Sequence, residues 1–140
     1  MQIQPYLYFN GRCDEALALY RKVLGAEVKF LLRFSEGPPE ACAGGMFPDN
    51  WLDKVMHSEV RIGESTVMLS DGNSAERAKF DGISLTVTAK DEATADRLFA
   101  GLGEGGEVQM PLGKTFFSPR FGMVADKFGV SWMVIVPKPM

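Results

Sequence analysis

The segments DEALALYRKVLGAEV (14–28) and DEATADRLFAGLGEGGEV (91–108) decide the fold, because they are two versions of one pattern. Each begins with an acidic pair, continues with apolar residues at helical spacing, reaches a Leu-Gly pair and leads into Glu-Val. This order is typical of a helix that ends at glycine and is followed by a strand. The repeat therefore predicts helices at about 12–24 and 91–102, in two modules of the same design.

Alternation of apolar and polar residues predicts one strand before each helix and three after it, which gives βαβββ twice. The predicted strands are 3–9, 27–34, 55–62 and 66–70 in the first half, and 82–89, 107–112, 116–125 and 130–136 in the second. We expect an α+β fold with one module over about 1–75 and another over about 80–140, together forming a single domain. Phe116, Phe128 and Trp132 are expected to pack in the core or at an interface.

Two segments rich in glycine have different interpretations. An irregular loop is predicted for EGPPEACAGGMFPDNWLDK (36–54). This loop serves either as a lid over a pocket or as a segment that contacts a partner. GLGEGG (101–106) matches the G-x-G-x-x-G pattern of dinucleotide sites. Because these glycines close a helix instead of opening one, we interpret them as a helix terminus and not as a cofactor site.

The composition favours a globular protein without nucleic-acid or membrane partners. The 140 residues are 46% hydrophobic with a formal net charge of −3, and Lys and Arg form no basic stripe. No apolar run approaches the roughly 20 residues that span a bilayer, and no secretory pattern begins the chain. We therefore expect a cytoplasmic protein in which Cys13 and Cys42 are free thiols. A minor alternative is a redox role for Cys13, whose pKa a helix start would lower.

Three long signatures carry a family resemblance: PYLYFNGRCDEALALYRKVLGAEV (5–28), KVMHSEVRIGESTVMLSD (54–71) and MPLGKTFFSPRFGMVADKFGVSWMV (110–134). They resemble the PhnB-like branch of the vicinal oxygen chelate superfamily, which includes glyoxalase I and bleomycin-resistance proteins. The resemblance implies a homodimer whose paired βαβββ modules form cup-shaped mixed sheets. It also implies a divalent metal in the cup, held by His, Glu or Gln from the first and last strand of each module.

The metal-ligand positions that the resemblance implies hold other residue types here. Position by position, they fall at Pro5, at Met68 with Val67 as the alternative, at Ser84 and at Met133. Proline offers no ligand atom, methionine offers a soft sulfur, and neutral serine is a poor ligand for a divalent cation. We therefore expect these four residues to lie near one another facing a cavity, with no bound metal and no other cofactor.

Strand alternation predicts which side chains line the cup instead, because residues two apart share a face of a sheet. His57, the one histidine of the chain, shares its face with Glu59 and Arg61. The predicted ligand-binding residues are His57, Glu59, Arg61, Met68, Ser70, Ser84, Thr86, Phe117, Phe121 and Met133. His57 is either a structural contact in a polar network at a dimer seam or a functional residue, and in the second case it carries a proton or helps to anchor an anionic ligand.

The residues favour a binding protein, a dimeric cup that holds a small organic molecule without the metal site. The alternative is an enzyme of the vicinal oxygen chelate type that acts on a small oxygenated or phosphonate-like metabolite. A third function, ubiquinone methylation, has little support, because no glycine loop joins a strand to a helix to hold a methyl donor.

Overall fold

The computed structural model describes residues 1–37, 48 and 50–138. Its helices and strands are β1 (Tyr6–Tyr8), α1 (Cys13–Leu24), β2 (Glu27–Arg33), β3 (Val55–Ile62), β4 (Ser65–Ser70), β5 (Leu85–Thr88), α2 (Glu92–Gly103), β6 (Glu107–Gly113), β7 (Phe121–Ala125) and β8 (Ser131–Ile135). The order βαβββ occurs twice, as the repeat predicts. A short 3-10 turn, Phe34–Glu36, follows β2, and most of the predicted 36–54 loop, with Cys42, lies outside the described residues.

Both sheets have four strands and the same topology, β1-β4-β3-β2 in the first and β5-β8-β7-β6 in the second. In each sheet the strand before the helix pairs in parallel with the last strand of its module, and the other neighbours are antiparallel. The prediction of an α+β fold with tandem βαβββ modules is confirmed. The chain divides into two compact units, Met1–Ala78 and Lys79–Met140, each containing one sheet and its helix.

Glycines end both helices, as the sequence predicts. Gly25 caps α1 in the left-handed region with φ of 67°, and its N–H donates to the carbonyl of Tyr20. After α2, Gly105 has φ of 74° and Gly106 lies so close to β7 that a Cβ there would be 2.1 Å from the carbonyl oxygen of Ala125. The glycines of 101–106 therefore terminate a helix and permit a close backbone approach.

A buried carboxylate holds the amino end of α1. Asp71, directly after β4, is fully buried and accepts three backbone hydrogen bonds. Its Oδ1 lies 2.8 Å from the nitrogens of both Gly11 and Cys13, and its Oδ2 lies 2.8 Å from that of Val55. A carboxylate is favoured at this end of a helix by the exposed N–H groups and the helix dipole. Asp71 thus ties α1, β3 and β4 together in the first unit.

Each helix buries one face within its own unit. In α1 the buried residues include Ala16, Tyr20 and Val23, which the helical spacing predicts to share a face. In the second unit Trp132 is 4% exposed, and its indole N–H donates to the buried Asp126 carboxylate at 2.9 Å. No helix in the described residues is long and apolar enough to cross a membrane.

The segment before β7 differs from its prediction. A strand was expected from residue 116, but β7 begins at Phe121, because Ser118 holds a turn there. Its hydroxyl donates to the carbonyl of Val136 at 2.6 Å and accepts the N–H of Arg120 at 3.1 Å. Phe116 is consequently 89% exposed and does not lie in the core, so its place at an interface stays a prediction, whereas Phe128 and Trp132 are buried.

Candidate functional site

His57 lies on β3 and is joined to residues on two sides. Its Nδ1 is 2.7 Å from the hydroxyl oxygen of Tyr6, and its Nε2 is 3.4 Å from a carboxylate oxygen of Glu59. The register explains the first contact, because Tyr6 of β1 pairs with Met68 of β4, which in turn pairs with Glu59 of β3. The Tyr6 side chain therefore reaches across β4 to the imidazole.

The carboxylate of Glu59 determines the roles of the two imidazole nitrogens. An ionised carboxylate only accepts hydrogen bonds, so Nε2 carries the hydrogen and donates to Glu59. Nδ1 is then the acceptor for the hydroxyl of Tyr6. The resulting chain runs from Tyr6 through His57 to Glu59, and we refer to it as the Tyr6–His57–Glu59 chain.

Aromatic rings surround this chain on the same face of the sheet. The rings of Tyr6 and Tyr8 stack with centroids 5.0 Å apart, and the ring of Phe30 on β2 lies 5.9 Å from His57. Tyr8 is 52% exposed and Phe30 is 48% exposed. The face therefore offers open aromatic surface beside a polar chain.

Burial, followed by the effect of neighbouring Tyr8, raises the pKa of the Tyr6 hydroxyl. Desolvation acts in this direction because it disfavours the phenolate. At neutral pH the Tyr6 hydroxyl is therefore protonated and available as a donor.

A cavity of about 460 Å³ lies beside Tyr6 in the first unit. Its lining residues are Tyr6, Tyr8, Asn10, Phe34, Met56, Ser70, Gly72 and Asn73. Ser70 is the predicted ligand contact that lines it, but Ser70 is only 2% exposed. Its hydroxyl donates to the carbonyl of Met56 at 2.7 Å and accepts from the N–H of Gly72 at 2.9 Å. Ser70 therefore shapes the cavity wall.

The other predicted residues of the first unit share the face of His57 but differ in their contacts. Glu59 pairs with Met68 across the β3–β4 ladder, and Arg61 is two residues further along β3. The guanidinium of Arg61 donates to the carbonyl of Gly63 at 3.1 Å, within the hairpin turn. Arg61 is thus held at the turn, whereas Glu59 contacts the imidazole.

The predicted residues of the second unit form their own polar and aromatic contacts. The hydroxyl of Ser84 donates to that of Ser131 at 2.9 Å, and Thr86 contacts the sulfur of Met133 at 3.6 Å. The rings of Phe117 and Phe121 meet edge to face with centroids 5.0 Å apart. A common pocket for all ten predicted residues remains a prediction.

The residues at the implied metal positions do not fit a divalent cation. The carbonyl of Pro5 accepts the N–H of Met68 at 3.0 Å, and the sulfur of Met133 is in contact with Thr86. Hard and borderline cations prefer carboxylate, imidazole or carbonyl oxygen ligands. Among the described residues, no three or more His, Cys, Asp or Glu side chains are grouped as metal ligands would be.

The environment of Cys13 is not that of a reactive thiol, so the alternative of a redox role for Cys13 is wrong. The residue is fully buried at the start of α1, where a lowered pKa was expected. Burial and then the nearby Asp71 carboxylate instead raise the pKa of the thiol. The same carboxylate accepts the Cys13 N–H, so the helix terminus already contains a negative charge.

Tyr6, Tyr8 and Asp71 are the residues that the sequence reasoning missed. The alternation in residues 3–9 carried a signal for the tyrosines, because Leu7 and Phe9 are buried and leave Tyr6 and Tyr8 on the opposite face. No local pattern marks Asp71, whose partners lie up to 60 residues away.

Comparisons with known proteins agree with this fold. The family model described as 3-demethylubiquinone-9 3-methyltransferase matches residues 1–135. Protein YjdN from Escherichia coli (strain K12) is 37% identical, over 99% of this chain and 97% of its own.

Solved structures extend the similarity. Protein PA1353 from Pseudomonas aeruginosa is 41% identical with a TM-score of 0.85, and 99% of each chain is covered. A PhnB protein from Bacillus cereus, whose name also carries the words 3-demethylubiquinone-9 3-methyltransferase, is 28% identical with a TM-score of 0.80, over 97% of this chain and 99% of its own. A glyoxylase/bleomycin resistance protein/dioxygenase domain from Frankia sp. EAN1pec shares the fold at 12% identity, with a TM-score of 0.70 over 99% of this chain and 98% of its own.

Proposed function

Because the chain belongs to the PhnB-like family described as 3-demethylubiquinone-9 3-methyltransferase and has a glyoxalase/bleomycin-resistance fold, we propose that it is a small-molecule-binding protein. It binds a small organic molecule in the cavity beside Tyr6, without a bound metal. The ligand contacts the aromatic face of the first sheet and the Tyr6 hydroxyl.

The observation that carries this proposal is the position of Tyr6. Its side chain lines a cavity of about 460 Å³, and its hydroxyl is fixed by His57 at 2.7 Å. Sites for small molecules usually have volumes of several hundred Å³, apolar and aromatic walls, and a few oriented polar groups. The cavity has a volume in this range, and its lining combines aromatic side chains with polar ones.

Methyl transfer, the activity in the family's description, is less favoured at the helix termini described here. A methyl donor with an acidic group would be held well by free N–H groups at the start of a helix. At each start a carboxylate already occupies this position: Asp71 accepts the N–H of Cys13 at α1, and Asp91 accepts that of Thr94 at α2. We therefore favour binding without a methyl donor.

An enzyme acting on a small oxygenated metabolite is the second candidate. The Tyr6–His57–Glu59 chain favours it, because a hydroxyl bonded to an imidazole is suited to general acid–base catalysis. A phosphonate-like substrate is less favoured, because the described residues that line the cavity include no Lys or Arg.

A homodimer in the cytoplasm also belongs to the proposal. The edge strands β2 and β6 start with the related sequences EVKF and EVQM, and their apolar residues Val28, Phe30, Val108 and Met110 are all exposed. Exposed apolar side chains on edge strands favour association with another chain. The buried free thiol of Cys13 suits a reducing compartment.

Thermal-shift screening of small oxygenated compounds tests the binding function. A ligand at 100 times its Kd adds about 2.7 kcal/mol to the free energy of unfolding. Compounds that raise the Tm of the wild type should lose most of this effect in Tyr6→Phe. Phe116→Leu is the matched control, because Phe116 is an exposed aromatic residue in the second unit. Hits that stabilise both variants equally would contradict a site at Tyr6.

A further inference from the structure

We propose that the Tyr6–His57–Glu59 chain transfers a proton, and that the ligand of the adjacent cavity is a planar weak acid, a phenol or an enol, bound as its oxyanion. This inference rests on the proposed binding function of the same cavity. It adds the chemical class of the ligand and the protonation state in which the protein holds it.

Tyr6 is the residue that connects the cavity to the imidazole. Its side chain lines the cavity, and its hydroxyl lies 2.7 Å from Nδ1 of His57. A tyrosine hydroxyl has one hydrogen to donate and lone pairs that accept. Tyr6 can therefore accept a hydrogen bond from a ligand hydroxyl while it donates its own hydrogen to His57.

The transfer is balanced within these groups. The O–H bond of the ligand breaks and its proton joins the oxygen of Tyr6, while the original proton of Tyr6 moves to Nδ1 of His57. Two O–H bonds break, one O–H bond and one N–H bond form, and no electrons leave the site. The products are a ligand oxyanion, a neutral Tyr6 that now donates to it, and an imidazolium at His57.

The groups that face His57 leave Nδ1 free to take the proton. Glu59 on the same strand lies 3.4 Å from Nε2 and accepts its hydrogen both before and after the transfer. From β1 the ionisable neighbours are Tyr6 and Tyr8, and β2 and β4 contribute the uncharged Phe30 and Met68. Because burial raises the pKa of Tyr6, the tyrosine remains protonated and conducts the proton without becoming the resident anion.

The class of ligand follows from the proton acceptor and from the rings. A carboxylic acid is already ionised at neutral pH and needs no acceptor, whereas a phenol or an enol loses its proton only to a base. The half-exposed ring of Tyr8, stacked on Tyr6 in the cavity wall, offers a flat surface to a planar molecule. A planar acid can stack on this surface with its oxygen directed to Tyr6.

The test uses para-nitrophenol, whose phenolate absorbs visible light, and para-nitroanisole, which has the same ring but no acidic proton. One pH unit below the solution pKa of the probe, about one tenth of it is ionised. If binding lowers the pKa of the probe by one unit, the ionised fraction at saturation rises about fivefold, to about one half. Tyr6→Phe and His57→Gln should abolish this rise. Phe116→Leu changes an exposed aromatic residue of the second unit, outside the cavity lining, and should keep the rise.

The two probes separate the inference from the proposed function. Binding of both probes, with the phenolate band enhanced only when Tyr6 and His57 are intact, would support the transfer. Binding of both probes with para-nitrophenol still protonated at saturation would overturn the transfer and leave the binding function standing. If calorimetry shows that neither probe binds, the inference and the aromatic binding site are both overturned. Circular dichroism melting of each variant shows that the fold is retained.

Discussion

Replacing Asp71 with asparagine should destabilise the first unit strongly, because this buried carboxylate accepts three backbone hydrogen bonds. Asparagine can place its carbonyl where Oδ1 lies and keep the bonds from Gly11 and Cys13. Its amide group then replaces Oδ2 and confronts the N–H of Val55, so two donors face each other in a buried site.

The magnitude follows from the bond that is lost. A hydrogen bond to a charged group contributes about 1.5–3 kcal/mol, and an unsatisfied buried donor costs about 1–3 kcal/mol. Since these two effects overlap, we expect Asp71→Asn to lower the free energy of unfolding by about 2–4 kcal/mol. Asp71→Ala loses all three bonds, and the loss should approach the total stability of about 5–15 kcal/mol typical of a domain.

Urea unfolding at neutral pH measures this loss as a fall in the urea concentration at which half of the protein is unfolded, provided that the m-value is unchanged. Asp91→Asn is the matched control, because Asp91 caps α2 in solvent and asparagine caps helices about equally well. A midpoint for Asp71→Asn that equals that of Asp91→Asn would refute the role assigned to Asp71.

Four further outcomes are expected. Burial raises the pKa of the Cys13 thiol, so the stability that the protonated thiol contributes is complete below the ordinary thiol pKa of about 8.5. Above that pH the free energy of unfolding should fall by at most about 1.4 kcal/mol per pH unit. A Cys13→Ala variant whose stability falls equally steeply from pH 8 to 10 would contradict this. Trp132→Ala should cost about 3–5 kcal/mol in urea unfolding, and an unchanged midpoint would place Trp132 at the surface. Gly106→Ala should lower Tm by several degrees, since its Cβ would lie 2.1 Å from a backbone oxygen, and an equal Tm would show that β7 can move away. Light scattering should give a dimer mass at micromolar concentration, and a monomer mass would remove the homodimer.

The helices and most strands could be predicted because their signals are local. The helices predicted at about 12–24 and 91–102 lie at 13–24 and 92–103, because apolar spacing and the glycines act within a few residues of their own positions. Strand β3 was predicted with the same limits, 55–62, because its alternation is regular and a two-residue turn around Gly63 follows it.

The candidate site could be predicted only in part, because its contacts depend on strand pairing over long distances in the sequence. His57 and Glu59 are two residues apart, so alternation alone places them on one face. Tyr6 is 51 residues from His57, and only the parallel pairing of β1 with β4 brings them together. Phe116 was predicted to lie in the core or at an interface, and a turn held by the hydroxyl of Ser118 keeps it out of the core of its unit.

The single histidine allows the most direct test of the Tyr6–His57–Glu59 chain, because all imidazole nitrogen signals of uniformly ¹⁵N-labelled protein come from His57. Long-range ¹H–¹⁵N correlation spectra distinguish the protonated nitrogen from the acceptor nitrogen. In the free protein above the titration of the imidazole, we predict hydrogen on Nε2, with Nδ1 as an acceptor whose shift changes in Tyr6→Phe. On saturation with para-nitrophenol, both nitrogens should become protonated at the same pH. Hydrogen on Nδ1 in the free protein, or an imidazole that stays neutral when the probe is bound, would contradict the account.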